Sequence, residues 1–149
     1  MKAKDIMTKP VISVTPETTI EEVSQILFDN RINGVPVVNE NNEVIGIVTG
    51  RIIIRSYLPS YLELLEENFH LLNLNSFLSK SEISKKTPVK QIMLKPYVVN
   101  ENMNVVEIAA IMTTRGLRQV IVVNDKNQLT GIISKIDIVR AVATRDKKL

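Results

Sequence analysis

The stretch Gly131–Ile138, which reads Gly-Ile-Ile-Ser-Lys-Ile-Asp-Ile, decides the fold predicted for this chain. Its glycine and two isoleucines are typical of a buried strand, and Ser134 then opens a helix with Asp137 three residues later, the spacing of a capping box. A helix start presents unpaired N–H groups and the positive end of the helix dipole, which suit a phosphate. A hydroxyl can join that phosphate site, and a carboxylate one turn later can accept both hydroxyls of a ribose. Plain helix capping remains the alternative explanation of the pattern.

An internal repeat favours a binding role for this stretch over plain helix capping. A shift of about 85 residues lays one half of the chain on the other. The matched positions include Gly46 with Gly131, Thr49 with Ser134, and Val37-Val38-Asn39 with Val122-Val123-Asn124. Asp137, however, matches Ile52. The glycine and the hydroxyl residue are therefore present in both halves, but the carboxylate is present only in the second.

Composition bounds the class of protein. The chain has 149 residues, of which 44% are hydrophobic, which is ordinary for a globular protein that folds without a metal or disulfide. The absence of cysteine excludes thiol catalysis, thiolate metal sites and disulfides, and fits a cytoplasmic protein. The start of the sequence has no long apolar run, so neither a signal peptide nor a membrane span is expected. The net charge of +3 comes from scattered basic residues, which is weak evidence for nucleic-acid binding.

Each half of the chain predicts the order β-α-β-β-α. In the first half, apolar residues at helical spacing run from Ile20 to Leu27, and Asn33-Gly34 is expected to end this helix with a positive φ. Val35–Val38 and Val44–Val48 form a predicted hairpin, and Thr49 caps the next helix. The second half repeats the pattern, with a first helix that ends at Arg115-Gly116, a hairpin over 119–133, and Ser134 at the start of the last helix.

Residues 57–86 belong to neither repeat. Apolar residues there fall on one helical face, which predicts a helical connector packed on the core. A lid or a partner-binding face is the alternative interpretation. His70 within this segment is expected to be an ordinary surface or half-buried side chain, because the chain has no second histidine with which to build a metal site.

Several motifs in fixed order indicate a family. They are Ile6-Met7-Thr8, Thr15–Ile20, Gly34–Val38, Gly46–Thr49, Ile92-Met93, Gln119–Val123 and Gly131–Ser134 with Asp137. With them the chain resembles a pair of cystathionine-β-synthase (CBS) domains, the tandem unit called a Bateman module. The resemblance implies an α/β (α+β) fold of two β-α-β-β-α repeats, residues 1–56 and 87–149, packed through their sheets with pseudo-twofold symmetry and joined by the 57–86 connector.

The resemblance also implies a function. Members of this family bind adenosine-containing ligands in clefts between the repeats and regulate an enzyme, channel or transporter. For this chain it implies a regulatory module that binds AMP, ADP, ATP or S-adenosylmethionine, forms a homodimer and acts on a separate effector protein. A structural dimerisation module with decayed clefts is the alternative.

The resemblance assigns site residues one by one. Asp137 is expected to bind the ribose diol, and Ser134 with the helix N-terminus to bind phosphate. The base is expected to lie against Met7, Ile12, Ile32 and Asn33. Arg118 falls where relatives often place a phosphate-contacting basic residue, although it could equally be a surface arginine; Lys135 and Arg140 are weaker phosphate candidates. The other cleft, with Thr49 and Ile52, is expected to be empty or degenerate, although Arg51 could contact a phosphate there and allow weak binding.

Two other classes of function find little support in the sequence. An enzyme would need a nucleophile–base pair, a metal cluster or a Gly-rich phosphate loop, and none is apparent. A nucleic-acid-binding protein would need a basic stripe and aromatic side chains, and only 4% of the residues are aromatic. The sequence therefore predicts neither catalytic residues, nor a metal site, nor a nucleic-acid partner.

Overall fold

The structure is a computed structural model that describes residues 1–58 and 83–146. The connector predicted over 57–86, apart from its two ends, lies outside the described residues, as does His70. The helices are α1 (Ala3–Ile6), α2 (Ile20–Asn30), α3 (Gly50–Tyr57), α4 (Val105–Arg115) and α5 (Lys135–Asp146), with a 3-10 turn at Val89–Gln91. The strands are β1 (Gly34–Val38), β2 (Val44–Thr49), β3 (Val98–Asn100), β4 (Gln119–Val123) and β5 (Leu129–Ser134).

The strands form two sheets, and each contains one of the two predicted hairpins. β1 pairs with β2, and the second sheet has the order β3-β4-β5. In that sheet β3 runs parallel to β4, and β4 runs antiparallel to β5. The leading strand of the first repeat is reduced to a parallel bridge between Val14 and Val37. Helices and strands thus combine in an α+β fold.

The chain divides into two compact units, and each unit draws on both repeats. Unit 1 contains residues 1–13, 38–45 and 95–146, and unit 2 contains residues 14–37, 46–58 and 83–94. The opening turn of the first repeat, α1, therefore belongs to the unit that holds α4 and α5. The opening turn of the second repeat, Val89–Gln91, belongs to the unit that holds α2 and α3.

The core of unit 1 forms around the three-stranded sheet. Its buried residues are Ala3, Val99, Ile108, Met112, Val120, Val122 and Ile133. Burial of one such Val, Ile or Met side chain contributes about 1.5–3 kcal/mol. The opening turn extends this sheet, because the Thr8 N–H donates to the Ile132 carbonyl at 2.8 Å and the Ile132 N–H donates back at 3.1 Å. These two bonds hold residues 7 and 8 beside the strand that leads to Ser134.

Unit 2 repeats this arrangement with its own core. The buried residues are Val14, Ile20, Val23, Val35, Val37, Val48, Val89 and Ile92. Here the Ile47 N–H donates to the Leu94 carbonyl at 2.9 Å, and the Leu94 N–H donates to the Ile47 carbonyl at 3.1 Å. Ile32 and Ile52 are partly buried against this core. The opening turn of the second repeat is thus held to β2 in the way that the first is held to β5.

The first helix of each repeat ends through a residue of positive φ, but only one of the two was predicted. α4 ends at Gly116 with φ 64°, as expected. α2 ends at Arg31 with φ 52°, and the prediction that Asn33-Gly34 makes this turn is wrong. Gly34 lies in β1, where a Cβ atom would stand 2.7 Å from Cγ2 of Thr49. The glycine is needed there for a close side-chain approach and not for its backbone conformation.

Candidate functional site

Ser134 and Asp137 interact directly where β5 passes into α5. The Ser134 N–H donates to Oδ2 of Asp137 at 2.8 Å, as in a capping box. The Ser134 hydroxyl also donates to Oδ2, at 2.9 Å. Both side chains are half-buried. The carboxylate is therefore held against the first turn of α5 by two hydrogen bonds to one of its oxygens.

Arg118 lies at the same end of the strand pair. Gln119 is paired with Ser134 in the β4–β5 register, and the Arg118 carbonyl accepts from the Lys135 N–H at 3.2 Å. The side chains of Arg118 and Lys135 are exposed. Two cationic side chains therefore accompany the positive end of the α5 dipole, which favours the binding of an anion. An arginine there also matches the bidentate geometry of a phosphate.

Met7 lies against Gly131, the first residue of the Gly131–Ile138 stretch. A Cβ atom at position 131 would contact the Met7 sulfur and would stand 2.7 Å from Met7 Cγ. The side chain of Met7 is half-buried and also packs against the unit 1 core. Gly131 therefore makes room for Met7, and the opening turn brings this predicted base contact alongside β5.

The remaining predicted base contacts are placed differently. Ile12 is in unit 1 and is 40% exposed. Ile32 and Asn33 belong to unit 2, where the Asn33 carbonyl accepts from the Gly50 N–H at 2.9 Å at the start of α3. The structure thus places Met7, Arg118, Ser134 and Asp137 along β5 and the start of α5. The ligand contacts of all these residues stay predictions.

A cavity of about 320 Å³ opens beside Asp137 within unit 1. It is lined by Met1, Asp5, Ile6, Asp137, Arg140, Ala141 and Thr144. Sequence reasoning proposed Arg140 as a weak candidate and missed Asp5. The repeat held a signal for it, because Asp5 matches Gln91 just as Asp137 matches Ile52, so each carboxylate is present in only one of the two repeats. Both belong to unit 1.

The matching end of unit 2 keeps the helix cap, but it has neutral residues at the three matched positions and Arg51 in the first turn of α3. The Thr49 hydroxyl accepts from the Ile52 N–H at 3.1 Å and so caps α3. At the positions that match Arg118, Lys135 and Asp137 stand Asn33, Gly50 and Ile52. A cavity of about 380 Å³ lies there too, lined by Ile52, Arg55, Ser56, Ile83, Gln91, Ile92 and Leu94. Its lining is mainly apolar where the unit 1 cavity has two carboxylates.

A family comparison agrees with the internal repeat and with the fold. A family model described as "CBS domain" matches residues 3–58 and again residues 89–144. The chain belongs to the CBS domain family. It is a tandem CBS pair, as the motifs indicated, and the two matches leave the segment between them outside both domains.

Curated relatives of this CBS pair include proteins of archaea and of a plant. The uncharacterized protein MJ1426 of Methanocaldococcus jannaschii is 27% identical over 95% of this chain and 91% of its own length. Of several other curated relatives, the chain spans only 25% to 66% of the length. The pair is thus found both as nearly a whole protein and as part of longer ones.

Solved structures of CBS pairs share the fold. CBSX2 of Arabidopsis thaliana, solved in complex with AMP, has a TM-score of 0.75 at 20% identity and matches 97% of this chain and 98% of its own. The CBS pair of protein MJ0100, solved with 5-methylthioadenosine and S-adenosyl-L-methionine, has a TM-score of 0.70 at 25% identity, again over 97% and 98%. These matches confirm the tandem CBS fold.

No helix in residues 1–58 and 83–146 is long and apolar enough to cross a membrane. Within the same ranges, no group of three or more His, Cys, Asp or Glu side chains is placed to hold a metal ion.

Proposed function

We propose that this CBS pair binds an adenosine-containing ligand at the start of α5 and that binding regulates a partner protein. The observation that carries the proposal is the Asp137 carboxylate, held in the first turn of α5 by Ser134 at 2.8 and 2.9 Å. This carboxylate accepts the two ribose hydroxyls. The N–H groups at the start of α5, Ser134 and Arg118 bind a phosphate.

Two comparisons support the ligand class. The MJ0100 pair, 25% identical to this chain, was solved with two adenosine derivatives, and CBSX2, which shares the fold, was solved with AMP. Adenosine is common to all three ligands. For this chain the candidates are AMP, ADP, ATP and S-adenosylmethionine, with Met7, Ile12, Ile32 and Asn33 proposed to contact the base.

A ligand panel tests the proposal. We expect calorimetry to show binding of at least one of AMP, ADP, ATP and S-adenosylmethionine, with one strong site per chain, and GMP to bind far more weakly. A ligand at 100 times its dissociation constant should raise the free energy of unfolding by about 2.7 kcal/mol, which a thermal shift also detects. A folded protein that binds no adenosine compound would contradict the proposal.

A purely structural role is the second candidate, and one observation favours it. The matching end of unit 2 has neutral residues, Asn33, Gly50 and Ile52, where unit 1 has Arg118, Lys135 and Asp137, as decayed clefts would. The retained Ser134–Asp137 pair in unit 1 favours ligand binding instead. We therefore place regulation first, in the cytoplasm and through a separate effector protein, with the chain acting as a sensor and not as an enzyme.

We further propose that the chain forms a homodimer. The outer side of α5 exposes Ile136, Val139 and Val142 by 61%, 58% and 59%. On a monomer these side chains would add an apolar stripe to the surface, and a second copy of the same face can cover it.

Light scattering checks the homodimer at micromolar concentration. We expect the mass of a dimer for the wild type and a shift toward the monomer for Val139→Asp, because the change puts a charge into the apolar stripe. Lys126→Asp, in the exposed turn between β4 and β5, is the control and should leave the dimer intact. A monomeric wild type would refute the homodimer.

A further inference from the structure

The hydrogen bonds of Ser134 and Asp137 have a consequence for ligand choice. We infer that the Ser134 hydroxyl competes with the ribose diol for Asp137, and that a phosphate on the ligand removes this competition by drawing the hydroxyl to itself. The site thereby selects phosphorylated adenosines over adenosine. The inference rests on the proposed function and concerns the regulation of that same site.

Two donors from Ser134 already occupy one oxygen of the Asp137 carboxylate. Each oxygen of an ionised carboxylate has two lone pairs. On Oδ2 of Asp137 both are used, one by the Ser134 N–H at 2.8 Å and one by the Ser134 hydroxyl at 2.9 Å. The hydrogen bonds of the described residues include no donor to Oδ1. A diol that donates one hydroxyl to each oxygen therefore finds Oδ1 open and Oδ2 filled.

Of the two hydrogen bonds to Oδ2 of Asp137, only the one from the Ser134 hydroxyl can break without a change in the backbone. The Ser134 N–H is fixed by the backbone that joins β5 to α5. The hydroxyl rotates freely about its C–O bond and can turn to another acceptor within reach. Only the hydroxyl is therefore able to release Oδ2 without moving the helix.

A hydroxyl-to-carboxylate bond of this kind needs an acidic third residue in the helix. In α2 the Thr19 hydroxyl donates to Oε1 of Glu22 at 3.0 Å while it accepts from the Glu22 N–H at 3.2 Å. At the start of α3 the Thr49 hydroxyl accepts from the Ile52 N–H at 3.1 Å, and the side chain of Ile52 offers no acceptor for its proton. The competition can therefore arise at the start of α5 and not at the start of α3.

A phosphate on the ligand gives the Ser134 hydroxyl another acceptor. A phosphate at the start of α5 lies in the positive field of the helix end and of Arg118, and it is a strong acceptor for the Ser134 hydroxyl. Once the hydroxyl turns to the phosphate, a lone pair of Oδ2 becomes available to the ribose. Phosphate and diol therefore strengthen each other's binding, whereas adenosine must displace the hydroxyl with only water to receive it.

Titration of adenosine and AMP against the wild type and Ser134→Ala tests the inference. We expect Ser134→Ala to bind adenosine about three- to tenfold more tightly, since the competitor is gone, and AMP about tenfold more weakly, since a phosphate donor is lost. Ser134→Thr keeps a hydroxyl and should restore the wild-type preference for AMP. If Ser134→Ala fails to fold, Ser134→Gly makes the same test with a residue better suited to capping.

The matched variant Thr49→Ala serves as control and should change neither affinity. Equal weakening of adenosine and AMP in Ser134→Ala, or an unchanged ratio of the two affinities, would overturn the inference and leave the proposed function standing. A folded wild type that binds neither AMP nor any other adenosine compound would contradict the proposed function, and the inference with it.

Discussion

Asp137→Ala should weaken binding of an adenosine ligand by at least a hundredfold. Each hydrogen bond to a charged group is worth about 1.5–3 kcal/mol, which is about ten- to a hundredfold in affinity, and the ribose diol makes two of them with this carboxylate. Calorimetric titration of wild type and variant with the same nucleotide measures the loss. Unchanged affinity in the folded variant would show that the ribose binds elsewhere.

A control is needed because Asp137 also stabilises the start of α5. Glu22 holds the same third position in α2, where its carboxylate accepts from the Thr19 hydroxyl at 3.0 Å. Glu22→Ala therefore removes a comparable capping contact at a site with no predicted ligand. We expect it to lower stability by about 0.5–2 kcal/mol at most and to leave nucleotide affinity unchanged. A loss of affinity in both variants would point to destabilisation and not to a lost contact.

The second prediction concerns the start of α3, where Ile52 takes the place of Asp137. Ile52→Asp restores the missing carboxylate, but Ile52 is half-buried against the core of unit 2. We therefore expect the single change to lower the free energy of unfolding by about 1–3 kcal/mol, from lost apolar contact and a partly buried charge. Ile52→Ala separates these causes, because it loses the contact without adding the charge.

A second strong site should require all three lost charges. Asn33→Arg, Gly50→Lys and Ile52→Asp together reproduce the set at the start of α5. Asn33 is exposed, and a Cβ atom at position 50 would meet only the Asn33 carbonyl, at 4.0 Å, so the two added cations fit. Calorimetry should then rise from one toward two ligands per chain. Two equal tight sites in the wild type would contradict the asymmetry, and one site in a folded triple variant would show that these three charges do not account for it.

Most elements were predictable because their signals are local. The apolar spacing of α2, the hairpins and the threonine at the start of α3 each follow from a few adjacent residues. The end of α2 was not predictable in the same way, because an asparagine and a glycine near a helix end usually indicate the turn. Gly34 serves a contact with Thr49 that no local pattern reveals.

The arrangement of the candidate site was only partly predictable. The repeat located Ser134 and Asp137, and the motif order assigned Met7. The pairing of Thr8 with Ile132 joins residues more than a hundred positions apart, and nothing in either short segment specifies that partner. The direction in which the Ser134 hydroxyl donates likewise depends on the nearest acceptor. The sequence pattern does not specify that this acceptor is Oδ2 of Asp137.

The division of the opening turns between the two units constrains how such a protein could arise. α1 supplies buried Ala3 to the core that holds the second repeat's sheet, and Val89 is buried in the core that holds the first repeat's helices. A single ancestral repeat would have carried an opening turn with no core of its own and a core lacking that turn. It could complete itself only by borrowing the turn from a second copy. The pair, and not the single repeat, is therefore the smallest unit in which both cores are complete.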